Sequence, residues 1–210
     1  MPTRDPDTDE LLHGVPGGDR AARQQLLARH RGRLRKMVAY NLDRRLAARV
    51  DPSDVVQDAL LEADRELAEY LKHQKVPFYP WLRQLAWDRL VELHRRHLHA
   101  DKRSVRREQA GFFNLSDESA AELAGRLVDR GTSPSRQMLR REERARVRAA
   151  LDQLPARDRD VLMLRHLEEL STAETAAVLR TTVVTIKARH LRALRRLRKL
   201  LGADLSGGRP

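Results

Sequence analysis

Ser171-Thr-Ala-Glu-Thr-Ala-Ala-Val-Leu179, then Arg180-Thr-Thr182, then Val183-Val-Thr-Ile-Lys-Ala-Arg-His-Leu-Arg-Ala-Leu-Arg-Arg-Leu-Arg-Lys199, is the stretch whose reading decides the fold. Ser171 and Glu174 have the spacing of a capping box: the serine hydroxyl accepts from the Glu174 backbone N–H, and the glutamate reaches back to the serine N–H. A short helix therefore starts at Ser171 and ends near Leu179. Thr182 can cap a second helix that runs to about Leu201. Ile186, Leu194, Leu197 and Leu201 mark its packing face, and the rest is basic. Two helices, a tight turn and a basic second helix describe a helix-turn-helix. Val183, Thr185, Lys187, Ala188 and Arg189 would face base edges in the major groove. Arg192, Arg195, Arg196 and Arg198 would reach phosphates. A basic amphipathic helix for a membrane surface is the plainer alternative.

The charge pattern supports a DNA-facing role for that helix. Residues 180–199 hold eight Lys/Arg and no acid, so without an anionic partner they repel one another. Over 210 residues the chain has 42 Lys+Arg and 30 Asp+Glu, a net charge of +12. That excess is distributed in blocks. Residues 16–49 are net +8, 51–71 net −6, 83–107 net +5 and 108–129 net −4. Alternating blocks point to surfaces with separate partners. The chain has no cysteine, which excludes disulfide scaffolds, thiol nucleophiles and cysteine metal sites. No apolar run is long enough to span a membrane, and the acidic Met1–Glu10 segment lacks a signal-peptide core. A cytoplasmic protein without membrane insertion is expected.

Working outward, apolar residues recur at helical spacing over 19–42 (Leu26, Leu27, Leu34, Met37, Val38, Leu42). Asp51 and Pro52 open a helix to about Leu71, with Val55, Val56, Ala59, Leu60, Ala63 and Leu67 on its apolar face. Two prolines break 72–80 into a loop, and a long helix follows from Pro80 to about His99. Residues 108–134 read as an acidic linker without a strong apolar stripe, carrying one short helix at 117–128. Further helices are expected at 135–154 and from Pro155 to about His166. The fold class is all-α: two small helical domains, 1–107 and 135–210, joined by the 108–134 linker.

Two motif sets in the first domain and one in the second resemble a known family. Asp54-Val-Val-Gln57-Asp58 with Ala59-Leu-Leu-Glu-Ala63, and Pro77-Phe-Tyr-Pro-Trp81 through Asp88, Glu92 and Arg96, are similar to the extracytoplasmic-function (ECF) sigma factors of bacterial RNA polymerase. So are Leu151-Asp-Gln-Leu-Pro155, Arg159-Asp-Val-Leu-Met-Leu164, and the helix-turn-helix itself. The resemblance implies a sigma region 2-like bundle followed by a region 4-like helix-turn-helix. It implies docking on the clamp helices and flap of core polymerase, promoter DNA as ligand, an anti-sigma factor as possible partner, and no cofactor. Core docking falls to Asp54, Val55, Gln57, Asp58, Leu61 and Glu62. The −10 element falls to Phe78, Tyr79, Arg83, Trp87, Asp88, Arg89, Glu92, Arg95 and Arg96. The −35 element falls to Thr182, Thr185, Lys187, Arg189, His190, Arg192, Arg195 and Arg196. Asp88 stands where the family has Asn, Glu92 where it has Asp, Arg180 where the turn has Gly, and His190 where an apolar residue is usual. An ionised Asp88 can accept from a base but cannot donate.

The residues carry this chemistry on their own terms. Asp54, Asp58 and Glu62 recur every four positions, so they share one helix face. Four of the eight aromatics lie within 78–87, interleaved with Arg83 and Arg89 and followed by Arg95 and Arg96. Unstacked bases need such π-faces and cations; Trp81 reads equally well as core. The acidic linker could mimic a nucleic-acid strand in a basic polymerase channel. A conventional helix-turn-helix regulator, with a sensing or dimerising first domain, is the competing reading. Enzyme chemistry finds no support. Glu10-Leu-Leu-His13 is a single Glu-x-x-His where a di-iron bundle needs two plus further carboxylates. His94, His97 and His99 sit in a net basic stretch that repels cations, so no metal is expected. No phosphate-binding or hydrolase motif is present.

Overall fold

A computed structural model describes residues 6–14, 20–47, 49–97, 117–128 and 137–206, all helical or in connections between helices. The first half comprises α1 (Pro6–Gly14), α2 (Arg20–Asn41), a single turn α3 (Arg44–Ala47), α4 (Pro52–His73) and α5 (Phe78–His97). Then come α6 (Asp117–Val128), α7 (Gln137–Asp152), α8 (Ala156–Leu162), a π-helical turn Met163–Leu167, α9 (Thr172–Val178) and α10 (Val183–Ser206). The all-α expectation holds, and no strand occurs among the described residues.

Local chemistry sets the ends of these helices. Asp51 caps α4 by accepting from the Ser53 N–H at 2.7 Å, with Pro52 in the first turn. The helix stops at Gln74, which takes left-handed φ 39° and donates its N–H to the Tyr70 carbonyl. The loop is therefore shorter than its two prolines suggested. Pro80 is accommodated in the first turn of α5, where its missing N–H costs nothing. At the other end of the chain, the helix expected to reach His166 converts to a π turn at Met163. Glu168 closes a five-residue step by donating to the Met163 carbonyl at 3.0 Å.

Helical spacing also sets the core. Leu26, Leu34, Met37 and Val38 of α2 face Val56, Ala59, Ala63 and Leu67 of α4 and Leu82, Ala86 and Leu90 of α5. The same cluster continues through Leu123 and Ala124 of α6 to Leu151, Leu162, Leu164, Leu167 and Leu197. The two helical halves thus share one continuous apolar seam. A small separate cluster, Val161, Ala176 and Ile186, locks α9 and α10 together.

Two expectations change here. The linker helix has an apolar stripe after all: Ala120, Leu123 and Ala124 are buried, at the i, i+3, i+4 positions of one face. Alanines made that stripe hard to see in sequence. Ser119 donates to the Tyr40 carbonyl and Tyr40 Oη donates to Glu122 at 2.7 Å, so α6 is fastened to α2. Most of the rest of the acidic linker, and His99 with the basic residues after it, lie outside the described residues. The N-terminal segment, to which the sequence reading assigned no helix, forms α1. Its Leu12 joins the core, and Thr8 Oγ1 hydrogen-bonds the buried His30 at 3.2 Å.

Candidate nucleic-acid and protein interfaces

α4 presents its acidic face to solvent because the opposite face is spent on the core. Asp54, Gln57, Asp58 and Leu61 are exposed, and Leu61 is 53% exposed, an unusual value for a leucine with nothing over it. Glu62 is half-buried and accepts from Arg89 Nε at 2.8 Å. Val55 departs from the expected docking set. It is 4% exposed and packs in the core, since it follows Asp54 by one position and so points to the other side. A groove of about 680 Å³ runs beside this face, lined by Arg20, Arg23, Arg31, Gln57, Leu61 and Asp64 among others.

The residues expected to read the −10 element divide into two groups on α5. Asp88, Arg95 and Arg96 are exposed, and Trp87, Arg89 and Glu92 are half-buried. Arg89 and Arg96 both donate to Glu92, which holds its carboxyl below the ordinary value. Partial burial pushes Asp88 the other way, against a 2.8 Å hydrogen bond from Gln84. Phe78, Tyr79 and Arg83 are almost fully buried, at 4%, 3% and 2% exposure. Phe78 packs edge-on against Tyr70, and Trp81 stacks on Tyr70 at 4.5 Å as an element of the packing. In this arrangement those three are not an open DNA face. Phe78 is enclosed by His30, Tyr70 and Trp81 and Tyr79 lies under Arg33, all within the first half, while Arg83 is covered by Glu168 of the second half.

The helix-turn-helix has the expected construction. Ser171 and Glu174 form the reciprocal capping box, at 3.1 and 2.7 Å. Thr182 Oγ1 accepts from the Thr185 N–H at 3.1 Å and caps α10. Arg180 takes φ 48° in the turn, the left-handed conformation that glycine adopts freely and a larger side chain adopts at a cost. Thr182, Lys187, Arg192 and Arg195 are exposed, and Thr185, Arg189 and His190 are half-buried. His190 Nε2 lies 2.8 Å from His166 Nε2 with the rings stacked, and burial followed by the nearby Arg165 lowers its pKa. Arg196 is drawn back into the fold by an ion pair with Asp158, whose side chain is 5% exposed.

Sequence reasoning missed the seam between the halves. Arg83 donates from Nε and Nη2 to the two Glu168 oxygens at 2.7 and 2.8 Å, with both side chains 3% exposed or less. Burial alone would lower the Arg83 pKa; Glu168 offsets this and holds it above the ordinary value. Arg33 of α2 forks in the same way onto Glu174 at 2.9 and 3.0 Å. Its guanidinium lies 3.7 Å from the centroid of the Tyr79 ring. No local signal reveals pairs 85 and 141 positions apart. Among the described residues no cluster of three or more His, Asp or Glu is arranged to hold a metal, and no helix is long and apolar enough to cross a membrane.

Comparison with known proteins places these surfaces in context. Residues 144–197, which contain the helix-turn-helix, match the family described as Sigma-70, region 4. The RNA polymerase sigma factor CnrH of Cupriavidus metallidurans is 32% identical over 200 residues, covering 94% of this chain and 96% of the relative. The ECF RNA polymerase sigma-E factor of Escherichia coli is 29% identical, covering 89% and 90%. The solved structure of CnrH in complex with the cytosolic domain of CnrY superposes with a TM-score of 0.52 at 25% identity, over 94% of this chain and 99% of that one.

Proposed function

The chain belongs to the ECF sigma factors of RNA polymerase, and from that premise we propose how its surfaces divide the work of promoter-specific initiation. The exposed face of α4, with Asp54, Gln57, Asp58 and Leu61, docks core polymerase. It is an acidic, partly apolar helix face in a protein of net charge +12. Glu62 borders that face, and the flap of the polymerase takes the second domain. α5 engages the −10 element through Trp87, Asp88, Arg89, Glu92, Arg95 and Arg96, with the polymerase holding the strands apart. α10 reads the −35 element as duplex through Thr182, Thr185, Lys187 and Arg189, with Arg192 and Arg195 on phosphates.

In this division residues 1–107 form the polymerase and −10 domain, 108–134 the linker and 135–210 the −35 domain. The protein acts in the cytoplasm as a non-catalytic specificity subunit. An anti-sigma factor is its proposed regulatory partner, and the related CnrH is solved in complex with another protein, the cytosolic domain of CnrY. The observation that carries the reading is the pairing of a solvent-exposed Gln57-Asp58-Leu61 surface on α4 with a correctly capped helix-turn-helix on α9 and α10. Co-elution with core polymerase on gel filtration tests it. Wild type should co-elute, and Gln57→Ala with Asp58→Ala should not while keeping its melting temperature. A protein that footprints duplex promoter DNA alone and ignores core polymerase would be a conventional regulator instead.

A further inference from the structure

The seam joins two arginines of the first half to two glutamates of the second, each by a two-pronged fork. Arg83 holds Glu168 and Arg33 holds Glu174. Fork geometry suits a phosphate as well as it suits a carboxylate. Between the arginines sits Tyr79, 3% exposed, stacked under Arg33, and its buried hydroxyl has no hydrogen-bond partner. A buried donor without an acceptor is rare and costly. The glutamates of the closed form satisfy the arginines but leave the tyrosine unsatisfied. A cavity of about 210 Å³ opens against the Arg33–Glu174 pair, lined also by His30, Lys75, Tyr79 and Ser171.

We propose that Arg33, Tyr79 and Arg83 form a clamp for DNA phosphates, and that Glu168 and Glu174 occupy it as an intramolecular latch. While the latch is closed, Arg83 and Tyr79 are covered and α9 packs on α5, so the −10 and −35 surfaces cannot spread along one promoter. Opening exchanges two carboxylates for two phosphodiesters of the melted strand, and Tyr79 gains an acceptor. No covalent bond is made or broken. The shared apolar seam opposes opening, and the electrostatic part of the balance is set by the acids, which compete with phosphate for the same guanidinium groups. Glu174 also caps α9, so the latch grips the helix-turn-helix at its first helix. The proposal rests on the sigma-factor reading above.

The absence of cysteine makes a direct test clean. Glu66→Cys and Lys199→Cys, labelled with a dye pair, report the distance between the halves in the full chain. Against that background, Glu168→Gln with Glu174→Gln removes both charges while glutamine keeps the capping geometry. The dyes should separate, and affinity for a single-stranded oligonucleotide of mixed sequence, without polymerase, should rise at least about tenfold. Adding Arg33→Gln and Arg83→Gln should erase that gain. It should also flatten the salt dependence of binding by roughly 1.4 in log–log slope, the loss of two single-strand phosphate contacts. Dyes that stay together, or that separate with no gain in affinity, overturn the latch or the clamp respectively. Should the glutamine variant fail to fold, saturating wild type with the same oligonucleotide must still separate the dyes, and no movement overturns the proposal. Co-elution of unlabelled wild type with core polymerase is run in parallel. If that fails, the sigma-factor reading is at fault; if it succeeds while the dyes stay still, the latch alone is.

Discussion

Arg196→Ala separates a structural arginine from one proposed to face DNA on the same helix. Arg196 and Arg195 are neighbours, both exposed on α10, and sequence alone assigns both to phosphates. Only Arg196 is tied to Asp158 in the first turn of α8. Truncating it leaves a carboxylate that is 5% exposed without its cation. A hydrogen bond to a charged group contributes about 1.5–3 kcal/mol, and a fully buried pair broken on one side costs about 3–5 kcal/mol. The Arg196 side chain is 47% exposed, so water replaces part of the loss, and the α8 N-terminus also favours an anion. Both considerations place the cost at the lower end, about 2 kcal/mol. For a chain of this length that lowers the melting temperature by roughly 4–8 °C. Arg195→Ala should change stability by less than about 0.5 kcal/mol. It should instead flatten the log–log salt dependence of duplex binding by about 0.9. Calorimetry and salt-dependent anisotropy on the two variants read both quantities. An Arg196→Ala protein that melts like wild type and shows the Arg195→Ala salt slope would refute the assignment of Arg196 as a tie between α8 and α10.

Four further outcomes are expected. Leu123→Ala should cost about 2–5 kcal/mol, because the leucine is fully buried where α6 enters the shared core; a denaturant midpoint equal to wild type would mean the linker helix is undocked. Ser171→Ala should destabilise the helix-turn-helix by about 1 kcal/mol through loss of the cap and weaken −35 binding, as read by amide exchange in α9. For Glu174, burial pushes the pKa up, but Arg33 outweighs it and the net shift is downward. A depressed carboxyl stabilises the fold above its unfolded value and loses that contribution as pH falls through the lower folded value. Wild type should therefore lose more stability than Glu174→Gln when acidified below the ordinary glutamate range near about 4.3, measured by urea titration at several pH values. Replacing Arg180, held at φ 48°, with glycine should raise the melting temperature slightly, and a drop would mean that the Arg180 side chain matters more than its backbone.

The helices were legible in sequence wherever their signals are local. Asp51-Pro52 at the start of α4, the Ser171–Glu174 box and the Thr182 cap each act within three residues, and each lies where the sequence placed it. The apolar periodicity of Leu26 through Val38 and of Val55 through Leu67 gave the bundle. Three kinds of feature escaped or were ambiguous. Alanine-rich stripes, as at Ala120 and Ala124, carry little hydropathy contrast, so α6 read as linker. Val55 reads two ways, on the apolar face by periodicity and in the docking set by family resemblance, and the structure buries it at 4% exposure. Tertiary pairing was invisible: nothing near Arg83 or Arg33 in the chain announces Glu168 or Glu174, and the same arginines read as DNA-facing or went unassigned. The −10 residues were therefore legible as a helix and a composition, but not as a surface half covered by the rest of the protein.

The central claim is that this chain confers promoter recognition on core polymerase through two separate surfaces. Run-off transcription with bacterial core polymerase and a promoter library tests it most directly. Wild type should yield transcripts from a restricted set of promoters, Gln57→Ala with Asp58→Ala should yield none from any of them, and Arg189→Ala should shift the −35 sequences selected. Transcription that is independent of the added chain, or a docking variant as active as wild type, would contradict the account.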